Sequence, residues 1–188
     1  MTDDAEVTAW ALAAGRGDRD AAASFIRATQ QQVRRFLAAL ISPAEADDLT
    51  QETYLRATRS LPSFAARSSA RTWLLGIARR VAVDHVRIAN ARPRTVPMSD
   101  SFDAPDAQRS GFDRRVVLED LIEALPVGRR EAFVATQVLG LSYAEAAEIC
   151  GCRVGTIRSR VARAREDLVA GVDARDGMTP RKRGSAAG

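Results

Sequence analysis

The stretch from Leu141 to Arg165, LSYAEAAEICGCRVGTIRSRVARAR, most constrains the fold, because its pattern is that of a helix, a tight turn and a second helix. Ser142 and Glu145 form the sequence of a capping box, which begins a helix. The two alanines that follow are small enough for a second helix to cross closely, and Gly151 stands where the chain must reverse. The stretch therefore predicts a helix-turn-helix.

The second helix of this motif divides into an apolar stripe and a basic surface. Ile157, Val161, Ala164 and Leu168 recur at helical spacing and predict the buried side. Five arginines against two acidic residues give residues 151–170 a net charge of +3. A helix that is apolar on one side and rich in arginine elsewhere fits the major groove of DNA. A surface helix of an ordinary helical bundle has the same pattern.

A second basic block lies near the middle of the chain. Residues 63–94 hold seven arginines and one aspartate, a net charge of +6, whereas the whole chain carries +4. The block consists of a polar loop, SFAARSS, and a helical stretch that begins after Ser69. An aromatic ring, hydroxyls and a cation together are typical of sites for single-stranded nucleic acid. Trp73 is interpreted as a core residue, while Phe64 fits core packing and base stacking about equally.

Helical periodicity also covers most of the remaining chain. The stretches 5–15, 20–40 and 44–61 precede the polar loop, and helix resumes at Phe112. Residues 92–111 contain three prolines and few apolar groups, which is typical of a linker. The sequence therefore predicts an all-α protein of two small helical domains, a four-helix module (1–91) and a helix-turn-helix module (112–172), joined by a flexible linker (92–111) and followed by a disordered tail (173–188).

Composition excludes several classes of protein. No apolar run approaches the ~20 residues of a membrane span, and the acidic N-terminus is unlike a signal peptide, so we expect a cytoplasmic protein that does not associate with membranes. His85 is the only histidine, and Cys150 and Cys152 are too close for a disulfide and do not have the usual zinc spacing. We therefore expect neither a metal nor a cofactor.

The third predicted helix carries an acidic and amide face formed by Asp48, Gln51 and Glu52, with Leu55 among them. Such a face is suited to docking on another protein, and it is equally common on a solvated helix. Asp47, Asp48 and Glu52 also suggest a metal-dependent nuclease, but no nucleophile or phosphate-binding loop supports that chemistry.

Four motifs in fixed order carry a family resemblance: DLTQETYLRA (48–57), FAARSSARTWLLGIAR (64–79), LSYAEAA (141–147) and VGTIRSRVARAR (154–165). In this order the chain resembles, over nearly its whole length, the extracytoplasmic-function (ECF) sigma factors of bacterial RNA polymerase. The resemblance implies a protein without enzymatic activity that directs core polymerase to promoters through their −10 and −35 elements. The alternative, a helix-turn-helix regulator that acts without core polymerase, leaves the first basic block and the acidic helix without a role.

The resemblance also implies roles for particular residues. Asp48, Gln51 and Glu52 would dock on the β′ clamp of core polymerase, whose β flap would receive the second module. The −10 element would be held, with one base flipped out, by Phe64, Arg67, Ser68, Ser69, Arg71, Arg79, Arg80 and Arg87. The −35 element would be contacted by Gly155, Thr156, Arg158, Ser159 and Arg163.

Two positions depart from the family pattern. Ala162 stands where family members often carry a larger side chain, so a base contact there is in doubt. Arg80 replaces an amide found in some relatives, so the −10 preference of those relatives does not transfer. Family members are commonly held silent by an anti-sigma factor, so one hypothesis is that such a partner regulates this chain. A second hypothesis, based on the two DNA-binding faces and the flexible linker, is that the modules pack together and occlude each other. The linker aspartates Asp100, Asp103 and Asp106 fit mimicry of RNA charge and a solvated tether equally well.

Overall fold

A computed structural model describes residues 3–91 and 112–178 of the chain. Within these ranges every regular element is helical, which confirms the predicted all-α class. The predicted linker at 92–111, with its three aspartates, and the basic triplet at 181–183 lie outside the described residues.

The first module consists of four helices, as predicted. They are α1 (Asp4–Gly15), α2 (Arg19–Leu40), α3 (Ala46–Ser60) and α4 (Ala70–Ala91), with a 3₁₀ turn at Leu61–Ser63. Asp18 begins α2, because its carboxylate accepts hydrogen bonds from the backbone N–H groups of Asp20 and Ala21. The largest side chains buried between the helices are Phe25, Phe36, Leu37, Leu74 and Leu75.

Gly15 sets how closely α1 approaches the 3₁₀ turn. A Cβ atom at this position would lie 2.6 Å from the carbonyl oxygen of Leu61. Only glycine permits this approach, which brings α1 alongside the polar loop that follows the turn.

The second module contains α5 (Phe112–Glu123), α6 (Val127–Phe133), a π-helical turn at Val134–Val138, α7 (Tyr143–Cys150) and α8 (Val154–Met178). Helix α6 thus continues directly into the π-helical turn. The predicted domain end at residue 172 falls inside α8. The predicted capping box of Ser142 and Glu145 is formed, and Gly151 has a positive φ of 62° at the reversal between α7 and α8.

The two modules pack against each other. Val134 and Ile149 of the second module are 0% and 5% exposed, and both belong to the hydrophobic cluster of the first module. At the same interface Arg79 forms an ion pair with Glu131 at 3.0 Å, and Glu131 is 3% exposed. Arg130 donates a hydrogen bond to the carbonyl oxygen of Leu40 at 3.0 Å. In this closed arrangement two side chains of the second module extend the core of the first, while the second module keeps two smaller clusters of its own.

Among the described residues, none of the helices is long and apolar enough to cross a membrane.

Candidate nucleic-acid interface and docking surface

Ser63 belongs to the 3₁₀ turn, so the polar loop spans residues 64–69 in the structure. Side chains packed beneath the loop determine its shape. Phe64 is only 9% exposed, and its ring centroid lies 4.8 Å from that of Trp73, with the ring planes tilted by 40°. Ala66 has a positive φ of 48°, unusual for a residue with a side chain, which bends the loop sharply. The sequence left two interpretations of Phe64 open, core packing and base stacking. The structure shows its ring packed against Trp73 in the core, so Phe64 supports the loop.

The polar side chains of this loop lie at the surface. Arg67 is exposed, while Ser68 and Ser69 are half-buried. Ser69 accepts a hydrogen bond from the backbone N–H of Thr72 at 3.2 Å, which begins α4 as the sequence predicts. The structure therefore brings a cation and two hydroxyl groups together above an aromatic pair.

The four arginines of α4 fall into two groups. Arg80 and Arg87 are exposed. Arg71, in contrast, has a side chain that is only 13% exposed and forms an ion pair with Asp4 at 2.6 Å. Its guanidinium also donates to the carbonyl oxygen of Ala28 and to the side chain of Gln32, each at 3.2 Å. Arg71 thus joins α1, α2 and α4.

Arg79 is also engaged within the protein. Its side chain is 26% exposed and is paired with Glu131, whose side chain is 4% exposed. A carboxylate buried this deeply requires a charged partner, so Arg79 is held at the module interface in the closed arrangement.

The candidate docking face lies on α3. Asp48 and Gln51 are exposed, and Leu55 exposes 51% of its surface beside them. Glu52 accepts a hydrogen bond from Arg56 at 2.8 Å, and Arg56 also binds Asp84 at 2.6 Å. Hydrogen bonds to these two carboxylates raise the pKa of Arg56. The face is therefore acidic at one end and apolar at the other.

Asp47, which the nuclease hypothesis required, forms an ion pair with Arg34 at 2.5 Å. Across the parts of the chain that the structure describes, no group of three potential ligands could hold a metal ion.

Helix α8 presents the residues predicted to contact the −35 element on one surface. Arg158, Ser159 and Arg163 are exposed, and the two arginines form no ion pair among residues 3–91 and 112–178. Gly155 is exposed and Thr156 is half-buried at the beginning of the helix. Beneath this surface lies the predicted stripe of buried side chains: Ile157, Val161, Ala164 and Leu168.

The other arginines of α8 contact the protein itself. Arg165 donates a hydrogen bond to Gln137 at 2.8 Å, and Arg160 lies 4.0 Å from the sulfur of Cys152. Arg175 pairs with Asp120 at 3.7 Å, so all three support the module. Ala162 is exposed on the same surface of α8 as Arg158 and Arg163, and its small methyl group leaves space beside them.

Cys150 is buried at the turn of the motif and packs with the small side chains there. Burial, with a smaller contribution from Glu131, raises the pKa of its thiol to about 11. The thiol is therefore protonated at neutral pH and packs as a small apolar group.

Three residues of these surfaces escaped the sequence reasoning: Asp4, Thr8 and Glu131. Thr8 accepts a hydrogen bond from the backbone N–H of Ala70 at 3.0 Å, next to the polar loop. No local pattern identifies such residues. The partners of Thr8 and Asp4, Ala70 and Arg71, lie more than 60 positions away, and the partner of Glu131 lies in the other module.

Comparison with known protein families gives two matches in fixed order. The sigma-70 region 2 model matches residues 25–92, and the sigma-70 region 4 model matches residues 115–168. The first of these ranges contains α3 and the polar loop, and the second contains the helix-turn-helix.

Similar proteins extend this likeness to most of the chain. The ECF RNA polymerase sigma factor SigC of Mycobacterium tuberculosis is 52% identical over 177 residues, which cover 93% of this chain and 96% of that protein. EcfG of Rhodopseudomonas palustris is 38% identical over 150 residues, covering 77% of this chain and 81% of its own.

Two solved structures have a similar fold. CnrH, solved in complex with the cytosolic domain of CnrY, superposes with a TM-score of 0.71 at 24% identity, covering 90% of this chain and 98% of its own. RpoE of Bartonella quintana, solved with the anti-sigma factor NepR, superposes with a TM-score of 0.63 at 28% identity, covering 79% and 94%.

Proposed function

This chain belongs to the extracytoplasmic-function sigma factors of bacterial RNA polymerase, and we propose which of its residues perform each step of promoter recognition. As an alternative sigma factor it directs core polymerase to promoters, where transcription begins. In our proposal residues 1–91 dock on the polymerase and engage the −10 element, residues 92–111 connect the modules, and residues 112–172 read the −35 element. A regulator that acts without core polymerase would not account for the region 2 match.

Core docking is assigned to the exposed face of α3. Asp48 and Gln51 offer a carboxylate and an amide to a partner, and Leu55 adds exposed apolar area. A mixed face of this kind is typical of a protein interface. We assign it to the β′ clamp of the polymerase, with Glu52 taking part once its bond with Arg56 rearranges. The second module would meet the β flap.

The −10 element is assigned to the polar loop and the exposed arginines after it. Arg67, Arg80 and Arg87 are accessible to backbone phosphates, and Ser68 and Ser69 offer hydrogen bonds to a base flipped out of the duplex. Flipping costs a few kcal/mol of unstacking, which such contacts offset. Phe64 shapes the loop from below, and Arg71 is a positioning residue that fixes α1 and α2 to α4.

The −35 element is assigned to α8, and the exposure of Arg158 and Arg163 is the single observation that carries the proposal. Arg158, Ser159 and Arg163 lie over a buried apolar stripe and would face base edges in the major groove. Gly155 and Thr156 lie in the first turn of the helix, where backbone N–H groups and the helix dipole attract a phosphate.

In the free chain, the closed arrangement keeps Arg79 on Glu131 and away from DNA. Promoter elements centred roughly 25 base pairs apart lie about 85 Å apart along B-DNA. Two modules of this size in direct contact have centres only about 30 Å apart. The closed chain therefore reads at most one element at a time, and we infer that core docking separates the modules. Of the two silencing mechanisms, contact between modules has direct geometric support in this chain.

Transcription in vitro with core polymerase and a pool of genomic promoter fragments tests the proposal. The wild-type chain should direct initiation from a defined subset of promoters. Glu52→Lys should lose core binding, while Asp20→Lys, the same charge change at an exposed position of α2, should not.

Stable core binding without initiation from any promoter would refute the −10 and −35 assignments. Equal core binding by the two variants would refute the assignment of α3 as the docking face.

A further inference from the structure

The interface between the two modules places a buried charge pair beside apolar side chains. Val134 and Ile149, at 0% and 5% exposure, extend the core of the first module. Three positions before Val134, Glu131 is 3% exposed and lies 3.0 Å from Arg79 of α4. Charged residues are depleted from the cores of protein interfaces, so a carboxylate buried this deeply between two modules requires an explanation.

The arginines of this interface are incompletely satisfied. Within the parts of the chain that the structure describes, the Nε atoms of Arg79 and Arg130 are buried and have no hydrogen-bond partner. The 3.0 Å contact between Arg79 and Glu131 is therefore a contact of charges without the alignment of a hydrogen bond. A buried donor without an acceptor costs free energy only while the modules are closed, because water satisfies it once they separate.

Two further polar contacts cross the interface. Arg130 donates to the carbonyl oxygen of Leu40 at 3.0 Å, and burial lowers the pKa of its guanidinium. Thr72 of α4 donates to Glu145 of α7 only at 3.5 Å, the far end of the hydrogen-bond range. The polar part of the interface therefore has desolvated charge and long contacts, whereas its apolar part is well buried.

The energetics of a buried ion pair determine what this arrangement does. Each charge loses its hydration on closing, and that loss can exceed the attraction between the two charges. Removing one partner leaves the other buried and uncompensated, which weakens the contact strongly. Replacing both partners by apolar residues of similar volume, in contrast, commonly leaves such a contact equal or stronger. The pair thus makes closure weaker than an entirely apolar interface would.

We propose that Arg79 and Glu131 form a release element, a charge pair that keeps the closed arrangement weak enough for core polymerase to open it. The release role rests on the proposed function, in which core docking separates the modules. The effect of the pair on closure is a property of the free chain and does not depend on polymerase.

A double-mutant cycle with a matched control provides the test. The cycle consists of Arg79→Met, Glu131→Met and the variant that carries both changes. The control carries Arg129→Met and Asp167→Met, because this ion pair, at 2.5 Å, also joins α6 to a partner helix but lies wholly within the second module. Single-molecule energy transfer between dyes on full-length chains counts open and closed molecules.

The two single variants and the double variant should change closure in opposite directions. Each single variant should raise the ratio of open to closed molecules at least tenfold, since it leaves one charge buried alone. The double variant should lower this ratio several-fold below that of the wild type, and the control should leave it unchanged. Fluorescence of Trp10 and Trp73 checks the folding of the first module, and circular dichroism checks the second.

Binding of core polymerase without DNA gives the second measurement. When only the open chain binds, the apparent affinity falls in proportion to the open fraction. The double variant should therefore bind core polymerase several-fold more weakly than the wild type, and Glu131→Met should bind it more tightly.

The possible outcomes separate this proposal from the proposed function. A double variant that is as open as the single variants would show that the pair merely holds the modules together, and would overturn the release element. An equal shift in the control would overturn it as well, because the effect would not belong to the interface. If closure changes as expected but core affinity does not follow it, the inference that docking separates the modules fails, and the release role fails with it.

Discussion

Two arginines of the first module and two of the second are used in opposite ways. In the first module, Arg71 and Arg79 have side chains that are 13% and 26% exposed and are bound to carboxylates of the protein itself. In the second, Arg158 and Arg163 are exposed above a buried stripe. Basic charge alone therefore does not identify the side chains that reach DNA. What identifies them is whether neighbouring helices cover the position that the side chain occupies on its own helix.

This difference follows from packing. Helix α4 contacts α1, α2 and α3 of its own module and α7 of the other, and over residues 70–82 only Arg80 is exposed. Helix α8 contacts α5, α6 and α7, and its opposite surface is open. Arg71 and Arg79 therefore stabilise the fold on α4, whereas Arg158 and Arg163 remain available for a ligand on α8.

The largest expected effect is on stability and separates Arg71 from Arg158. Arg71→Ala removes bonds from a mostly buried cation to Asp4, Ala28 and Gln32, and should cost the first module about 3 kcal/mol. Both tryptophans, Trp10 and Trp73, lie in this module, so urea unfolding followed by their fluorescence measures the loss. Arg158→Ala should leave the urea unfolding curve unchanged. Equal curves for the two variants would contradict the proposed difference between a structural Arg71 and a solvent-facing Arg158.

The next effect is on DNA recognition. Arg158→Ala should cost roughly 1–3 kcal/mol at one base pair of the −35 element and little at the others, as expected for a side chain that reads a base edge. Binding of the holoenzyme to a set of single-base promoter variants measures this. A uniform loss across all variants would mean that Arg158 contacts only phosphate.

A smaller effect is expected at the module interface. Glu131→Gln removes the charge that pairs with Arg79, and should weaken the closed arrangement by about 1–2 kcal/mol, because Arg79 is partly exposed to water. Small-angle X-ray scattering should show a larger mean radius for this variant. Glu148→Gln, an exposed position on α7, is the control, and an unchanged radius in both would show that Glu131 does not hold the modules together.

The smallest effect concerns the beginning of α7. Ser142→Ala removes the side chain that accepts a hydrogen bond from the backbone N–H of Glu145, and should cost the second module about 1 kcal/mol. Circular dichroism of the second-module transition measures it, with Ser159→Ala as an exposed serine control. A cost equal to that of the control would mean that the capping box does not limit the stability of the motif.

The sequence correctly predicted the features that depend on interactions between residues close together in the chain. The capping box at Ser142, the reversal at Gly151 and the stripe from Ile157 to Leu168 depend on residues within a few helical turns, and the structure shows each of them. The family motifs added the order of the modules.

The sequence did not reveal the contacts that depend on tertiary packing. The partners of Arg71 lie on α1 and α2, and Glu131 meets Arg79 only because the modules close on each other. The π-helical turn at Val134–Val138 likewise places Val134 in the core of the first module, which no periodicity within the second module predicts.

The distance between the modules, measured on the free chain and on the polymerase-bound chain, tests the central claim most directly. Dyes attached through unnatural residues at Asp20 of α2 and Ala170 of α8, both exposed, would report it by energy transfer. The account predicts high transfer in the free chain and low transfer after core polymerase binds, with Glu52→Lys remaining high when polymerase is added. High transfer in the transcribing complex, or low transfer in the free chain, would contradict it.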